Sequence, residues 1–260
     1  LIKGLLVDYI QSIIIGIIEG FTEFLPISST GHMIVAEHFL GVNQSELTKA
    51  FDVIIQFAAI LAVMIIYKDK ITLKKKDLWI KLFIAFLPLA IVGFIFKDII
   101  KELFNIKVVA TMFILGGVAF LIVEFFYKES KAHTKNVEDV TLKQSLIIGF
   151  AQIFSLIPGT SRAGSTIIGG LLSGLDRKTS SEFSFLLAIP VMGAVSGYDL
   201  LKHYQEFVNV QWGVYLAGFI TAFIVAFITI KLFLAFLSRF TFVPFGIYRI
   251  IFGIFLLSYF

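Results

Sequence analysis

Two polar clusters hold the side chains that could do chemistry. The first, EGFTEFLPISSTGH at residues 19–32, carries two carboxylates, Glu19 and Glu23, then three hydroxyls, Ser28, Ser29 and Thr30, and an imidazole, His32. The second, IPGTSRAGS at 157–165, carries Thr160, Ser161 and Arg162. Glu19 and Glu23 are four residues apart, so on a helix their carboxylates share one face about 6 Å from each other. Two acids so placed repel unless they hold a cation, an arginine or a shared proton. A hard divalent ion, Mg2+ or Ca2+, bound by both carboxylates and by phosphate oxygens suits them. Ser29 lies three residues before His32, a spacing at which the imidazole serves as general base or general acid to a hydroxyl nucleophile. The attacking group is left open between Ser29, His32 and water. Arg162 requires an anionic partner, and its planar fork matches phosphate oxygens; an ion pair to Glu19 or Glu23 that locks the two clusters together is the other reading. A helix beginning at each cluster would point unpaired N–H groups at an anion, with Ser28, Thr30, Thr160 and Ser161 adding hydroxyl contacts. Together the two clusters read as equipment for a phosphorylated ligand.

The elements that must position these groups are membrane helices. The chain has 260 residues, 58% of them hydrophobic, with a mean hydropathy of +0.94 and only 15% charged residues. Apolar runs of spanning length recur, which predicts an all-α polytopic membrane protein, one membrane domain over residues 1–260 with no soluble domain. Six spans are expected at about 51–67, 79–96, 108–127, 182–201, 211–233 and 243–259. Residues 10–25 and 142–157 instead run into a proline and a Ser/Thr/Gly cluster, followed by short helices at about 32–40 and 164–174. Helix-breaking residues beside Glu and Arg at membrane depth are tolerated where they line a protein cavity, so each segment reads as a re-entrant hairpin. The apolar N-terminal run carries Asp8, Glu19 and Glu23 and no basic leader, and is not expected to be a removable signal peptide.

The halves resemble each other at an offset of 132 to 133 residues: SIIIGIIEGFTEFLP at 12–26 runs parallel to SLIIGFAQIFSLIP at 145–158, and Phe51 falls on Phe183. This predicts an inverted repeat, copy one at about 5–127 and copy two at about 142–260, each a hairpin plus three spans. Lysine and arginine are richest at 68–78, which holds five lysines, at 128–143 with four, and at Arg177 and Lys178; Lys3, Lys97, Lys101, Lys107 and Lys202 fall on the opposite side. By the positive-inside rule the first side is the cytoplasm and both termini face outward. The net charge of +4 is therefore a topology signal, and no nucleic acid is expected. With no cysteine, disulfides, thiolate metal sites and cysteine nucleophiles are excluded. Arg249 is read as pairing with a neighbouring helix or snorkelling, and Glu124 and Lys231 near span ends as snorkelling.

The motifs EGFTEFLPISSTGHM at 19–33, FDVIIQFAAILAV at 51–63 and PGTSRAGSTI at 158–167 resemble those of the undecaprenyl-diphosphate phosphatase family, of bacitracin resistance type, over essentially the whole chain. The resemblance implies a multi-pass protein of the bacterial inner membrane that removes the terminal phosphate of an isoprenoid diphosphate lipid, regenerating the carrier for cell-wall synthesis with a divalent cation. It implies metal binding at Glu19 and Glu23, catalysis by Ser29 and His32, and phosphate binding at Ser161 and Arg162. Many relatives have Ser where this chain has Ala163, so a hydroxyl role there is absent or passes to Ser165 or Thr160. Because the first hairpin enters from outside, the site is expected at the outer face. The alternative is a lipid-phosphate carrier built on the same inverted repeat, which would need Arg162 but neither nucleophile nor metal. A homodimer is left open.

Overall fold

The computed structural model describes residues 7–42, 45–202 and 211–260, so Lys3 and the first residues of the expected copy one lie outside it. The chain is helical: α1 (Tyr9–Thr22), α2 (Ser29–Leu40), α3 (Glu46–Ile66), α4 (Lys76–Ile95), α5 (Lys97–Glu102), α6 (Ile106–Phe126), α7 (Leu142–Gln152), α8 (Arg162–Leu172), α9 (Arg177–Lys202), α10 (Trp212–Leu237) and α11 (Val243–Tyr259). The described residues form no β-strand, only a lone bridge between Thr134 and Leu175. Five helices, α3, α4, α6, α9 and α10, are long and apolar enough to cross a membrane. The protein is polytopic. The sixth expected span, α11, has 17 residues, about 25 Å of helix against a hydrocarbon core of about 30 Å. Short α5, in the connection between α4 and α6, has no counterpart in the expected spans.

The hairpin helices are shorter still. α1 and α2 have 14 and 12 residues, and α7 and α8 have 11 each, so none reaches across the core. Both hairpins start with the same device. The Asp8 carboxylate accepts from Gln11 N at 2.8 Å while Gln11 returns its Oε1 to Asp8 N, and Thr141 and Gln144 repeat the exchange on α7. Packing repeats too: α1 lies on α10 as α7 lies on α4, while α3 packs on α9 and α6 on α11. The closest backbone approaches correspond. A Cβ built at Gly16 would lie 2.6 Å from the Gly218 carbonyl oxygen, and one at Gly149 would lie 2.6 Å from that of Ala85, each pair of positions being 133 residues apart. Only glycine lets these helices touch there.

Phenylalanines fill the interior, Phe24, Phe51, Phe113, Phe120, Phe183, Phe185 and Phe242 being fully buried, while Ile10, Phe94, Phe125 and Leu232 stand exposed on the outside. That apolar exterior is what a lipid-facing surface requires. At one end of the bundle the basic loops are tied together: Lys70 to Glu182 at 3.0 Å, Lys75 to Glu138 at 2.8 Å, and Arg177 to Glu129 at 2.5 Å.

Glu124, read as snorkelling, is placed otherwise. Glu124 is buried, accepts two bonds from Arg177 at 2.9 and 2.5 Å, and also accepts Phe242 N–H at 2.9 Å, joining α6, α9 and the start of α11. Removing one partner of a buried pair strands the other, at a cost of about 3 kcal/mol. Glu124→Ala is therefore expected to lower the thermal midpoint of detergent-solubilised protein by several degrees while leaving kcat unchanged. An unchanged midpoint would show that the pair adds nothing. Arg249 is fully buried and pairs with the backbone of the neighbouring helix α6, through the Met112 and Phe113 carbonyls.

Candidate active site

Each hairpin breaks at a serine with an unusual backbone. Ser28 has φ 70° and Ser161 φ 77°, the only non-glycine residues with positive φ among those described, and they are 133 positions apart. Such a conformation costs of order 1–3 kcal/mol and persists where surrounding contacts enforce it. In the first break, α1 ends at Thr22, Pro26 offers no N–H to a helical hydrogen bond, and α2 restarts at Ser29. In the second, the 3-10 turn Ile153–Leu156 leads into Pro158 and Gly159, and α8 restarts at Arg162. Ser29 and Arg162 thus hold equivalent positions, the first residue of each returning helix.

Those two residues meet at Glu23. The Ser29 hydroxyl donates to Glu23 Oε2 at 2.5 Å, and Arg162 Nη2 donates to Glu23 Oε1 at 2.9 Å. Arg162 Nη1 is anchored on the Ser184 carbonyl of α9 at 3.0 Å, and its Nε is buried without an acceptor. All three side chains line a cavity of about 310 Å³, with Ser28, Thr30 and Ser161 beside them and Gln56, Ile100, Phe104 and Met192 around them. The two helix starts differ. Ser161 Oγ accepts Gly164 N–H at 3.0 Å and caps α8, whereas no side chain caps α2, so its first N–H groups are free to bind an anion.

The remaining expected residues are placed less uniformly. His32 does not join Ser29: its Nδ1 is 2.8 Å from the Ser28 carbonyl oxygen, and its Nε2 is 2.6 Å from the Tyr248 hydroxyl. The ring stacks on Phe252 with centroids 4.7 Å apart, on the wall of a separate apolar cavity of about 600 Å³ between α1, α2 and α11. Three residues of separation put His32 on the face of α2 next to Ser29, but its bonds to Ser28 and Tyr248 and its stack on Phe252 hold the ring in the second cavity. In this geometry the group poised to take the serine proton is Glu23. Thr160 Oγ1 is buried without a partner, and the Ser165 hydroxyl is turned back onto the Ser161 carbonyl at 3.0 Å. Of the two candidates for the hydroxyl that Ala163 lacks, only Thr160 is unengaged.

A model of the bacitracin resistance protein BacA family matches residues 12–255. The chain belongs to that family. It is 76% identical over 250 residues to an undecaprenyl-diphosphatase of Sulfurovum sp. (strain NBC37-1), covering 96% of this chain and 98% of that protein. It is 66% identical over 252 residues to an undecaprenyl-diphosphatase of Sulfurimonas denitrificans (96% and 98% covered). An undecaprenyl-diphosphatase of Methanococcus aeolicus is 50% identical over 253 residues (97% and 99% covered).

In this BacA-family chain the site has unsatisfied polar groups behind the cavity. Glu19 is fully buried and neither carboxylate oxygen has a hydrogen-bond partner. Gln152, its equivalent in the second hairpin, is buried in the same unsatisfied way. A buried carboxylate with both oxygens unpartnered, one turn from Glu23, fits a cation completed by phosphate oxygens or water. Among the described residues no group of three His, Asp or Glu side chains forms a ready-made metal site. Two residues of the site escaped the sequence reading, Gln56 on the cavity wall and Asp52, whose Oδ1 is buried and unpartnered. The signal available was their i, i+4 spacing as isolated polar residues in an apolar helix.

Proposed function

We propose that this protein is an undecaprenyl-diphosphate phosphatase of the bacterial inner membrane, hydrolysing the lipid diphosphate to the monophosphate carrier and inorganic phosphate. The observation that carries this reading is the Ser29 hydroxyl held 2.5 Å from a carboxylate that Arg162 fixes from the other side. The head group enters the cavity while the isoprenoid tail stays in lipid. Ser29 Oγ attacks the terminal phosphorus and Glu23 takes its proton. The P–O bond to the lipid phosphate breaks, and the lipid monophosphate leaves with the electron pair. Water then attacks the phosphoserine, Glu23 relays protons back to Ser29 and the products, and inorganic phosphate departs. Arg162 and the uncapped start of α2 stabilise the charge on the transferred phosphoryl oxygens. Glu19 and Glu23 would hold Mg2+ or Ca2+, which when bound neutralises the diphosphate. In this reading His32 orients the first break through the Ser28 carbonyl.

Several features support an outer-facing site. Ile100 and Phe104 line the cavity and belong to the connection between α4 and α6, at the opposite end of α4 from the lysine-rich loop 68–75. The two hairpins, followed by α3, α4 and α6 and by α9, α10 and α11 and packed through matching pairs, support two inverted copies of one unit. A carrier would need the anion site but has no use for a serine hydrogen-bonded to a carboxylate, and no observation favours it.

Purified protein is expected to release phosphate from farnesyl or undecaprenyl diphosphate with Mg2+ and to stop when a chelator is added. In inside-out vesicles the phosphate is expected in the lumen. Folded protein that binds the lipid but releases nothing would overturn the phosphatase; release only to the cytoplasmic face would overturn the orientation.

A further inference from the structure

Arg249 is the large side chain at the centre of the fold for which the proposed chemistry has no use. It is fully buried on α11, no carboxylate among the described residues pairs with it, and its guanidinium bonds only to backbone carbonyls. Nη1 donates to Pro26 O at 3.0 Å, and Nη2 donates to Gly159 O at 3.0 Å and Met112 O at 2.9 Å. Nε points at Phe113 O at 3.4 Å, and the guanidinium lies over the Phe113 ring, 5.3 Å from its centroid.

The positions are related. Pro26 and Gly159 are equivalent under the 133-residue offset, and each precedes by three residues the first residue of a returning helix, Ser29 or Arg162. The position equivalent to Arg249 is Gly116, and a Cβ there would collide with the guanidinium. One planar fork therefore occupies the space that glycine leaves in the other copy, and reaches the same carbonyl in both breaks. Carbonyls in a break have no helical partner, and a buried one is costly unless another donor satisfies it. Arginine supplies two divergent donors from one rigid plane, which lysine cannot do.

We infer that Arg249 is a positioning residue that fixes the two hairpin tips against each other, so that Ser29 from one and Arg162 from the other converge on a single phosphoryl group. Its link to catalysis rests on the phosphatase reading; its link to tip geometry does not. Phe21 and Phe154 are exposed, sit just before the two breaks, and are equivalent under the same offset. The chain has no cysteine, so Phe21→Cys with Phe154→Cys places one spin-label pair across the hairpins.

The experiment measures the label distance distribution in that background, and kcat and KM for farnesyl diphosphate without labels, for wild type, Arg249→Lys, Arg249→Gln and Gly116→Ala. Expected are a single narrow distance in wild type and a broadened or shifted one in the variants. Expected too is a kcat about 100-fold lower in Arg249→Gln, the scale of an ångström's misplacement, with KM within about threefold. Arg249→Lys, able to reach one carbonyl, is expected to retain more activity than Arg249→Gln. Gly116→Ala, which touches neither ligand nor cavity, is expected to shift the distance and lower kcat even where an arginine variant fails to fold. Folded variants with the wild-type distance, or a wild-type kcat in Gly116→Ala, would overturn the inference. An inactive wild type with a variant-sensitive distance would overturn the phosphatase reading and leave the positioning role standing.

Discussion

Glu23→Gln is expected to lower kcat for phosphate release by about 10³-fold, within the range that a positioned general base contributes. Glutamine keeps the shape of the side chain, but only one of its two terminal atoms can accept, so it keeps the bond from either Ser29 or Arg162 and sets an NH2 donor against the other. It loses the ability to take the serine proton, at the acceptor that lies 2.5 Å from Ser29 Oγ, and with it the charge that pairs with Arg162 and would help hold a cation. Ser29→Ala is expected to lose a similar factor, because nucleophile and base act as one unit. The double variant should then be scarcely slower than either single one. Steady-state phosphate release from the three variants decides it. Glu23→Gln retaining kcat within about tenfold of wild type, or losses that multiply in the double variant, would mean that the proton goes elsewhere. In that case His32, with its ring on Tyr248 and the Ser28 carbonyl, would have to turn before it could serve.

Replacing Arg162 by alanine is expected to lower kcat/KM by about 10²- to 10³-fold, the usual consequence of removing a donor aimed at developing charge. The guanidinium does two things in this structure. It holds Glu23 at 2.9 Å and the Ser184 carbonyl at 3.0 Å, and its buried Nε has no acceptor of its own. A side chain already committed on both Nη atoms, with an unsatisfied donor left over, is prepared for an anionic guest. Arg162→Lys separates the two readings of this residue. If Arg162 only locks the hairpins through Glu23, lysine preserves the ion pair and activity should stay near wild type. If it also receives phosphoryl oxygens, lysine has too few directed donors for all its partners, and kcat/KM should fall by at least about tenfold. Wild-type kcat/KM in Arg162→Lys would reduce the residue to a strut.

Much of this protein is written along the chain. Apolar runs of spanning length predict helices across a membrane, and the proline, glycine and serine punctuation predicts the two breaks, because lipid provides no partners for irregular backbone. That Glu23, Ser29 and Arg162 would meet was legible for the same reason: polar side chains in apolar surroundings must face one another or a ligand. Their pairing across 139 residues, between Glu23 and Arg162, was one of two options that spacing left open.

Direction and partnership were decided only by the tertiary structure. Ser29 and His32 are three residues apart, and spacing alone makes them partners. The bonds to the Ser28 carbonyl and Tyr248 and the ring stack on Phe252 hold the His32 ring in the second cavity and leave Glu23 as the acceptor. Glu124 looked like a charge that snorkels, and Arg249 like one that pairs with a neighbouring helix or snorkels; packing encloses both, Arg249 among carbonyls of α6 and of the two breaks and Glu124 in a bidentate pair with Arg177. Sequence determines which groups must be satisfied, because the cost of burying a polar atom is local. Which groups satisfy them depends on contacts between segments more than a hundred residues apart, and those exist only once the two hairpins have packed together.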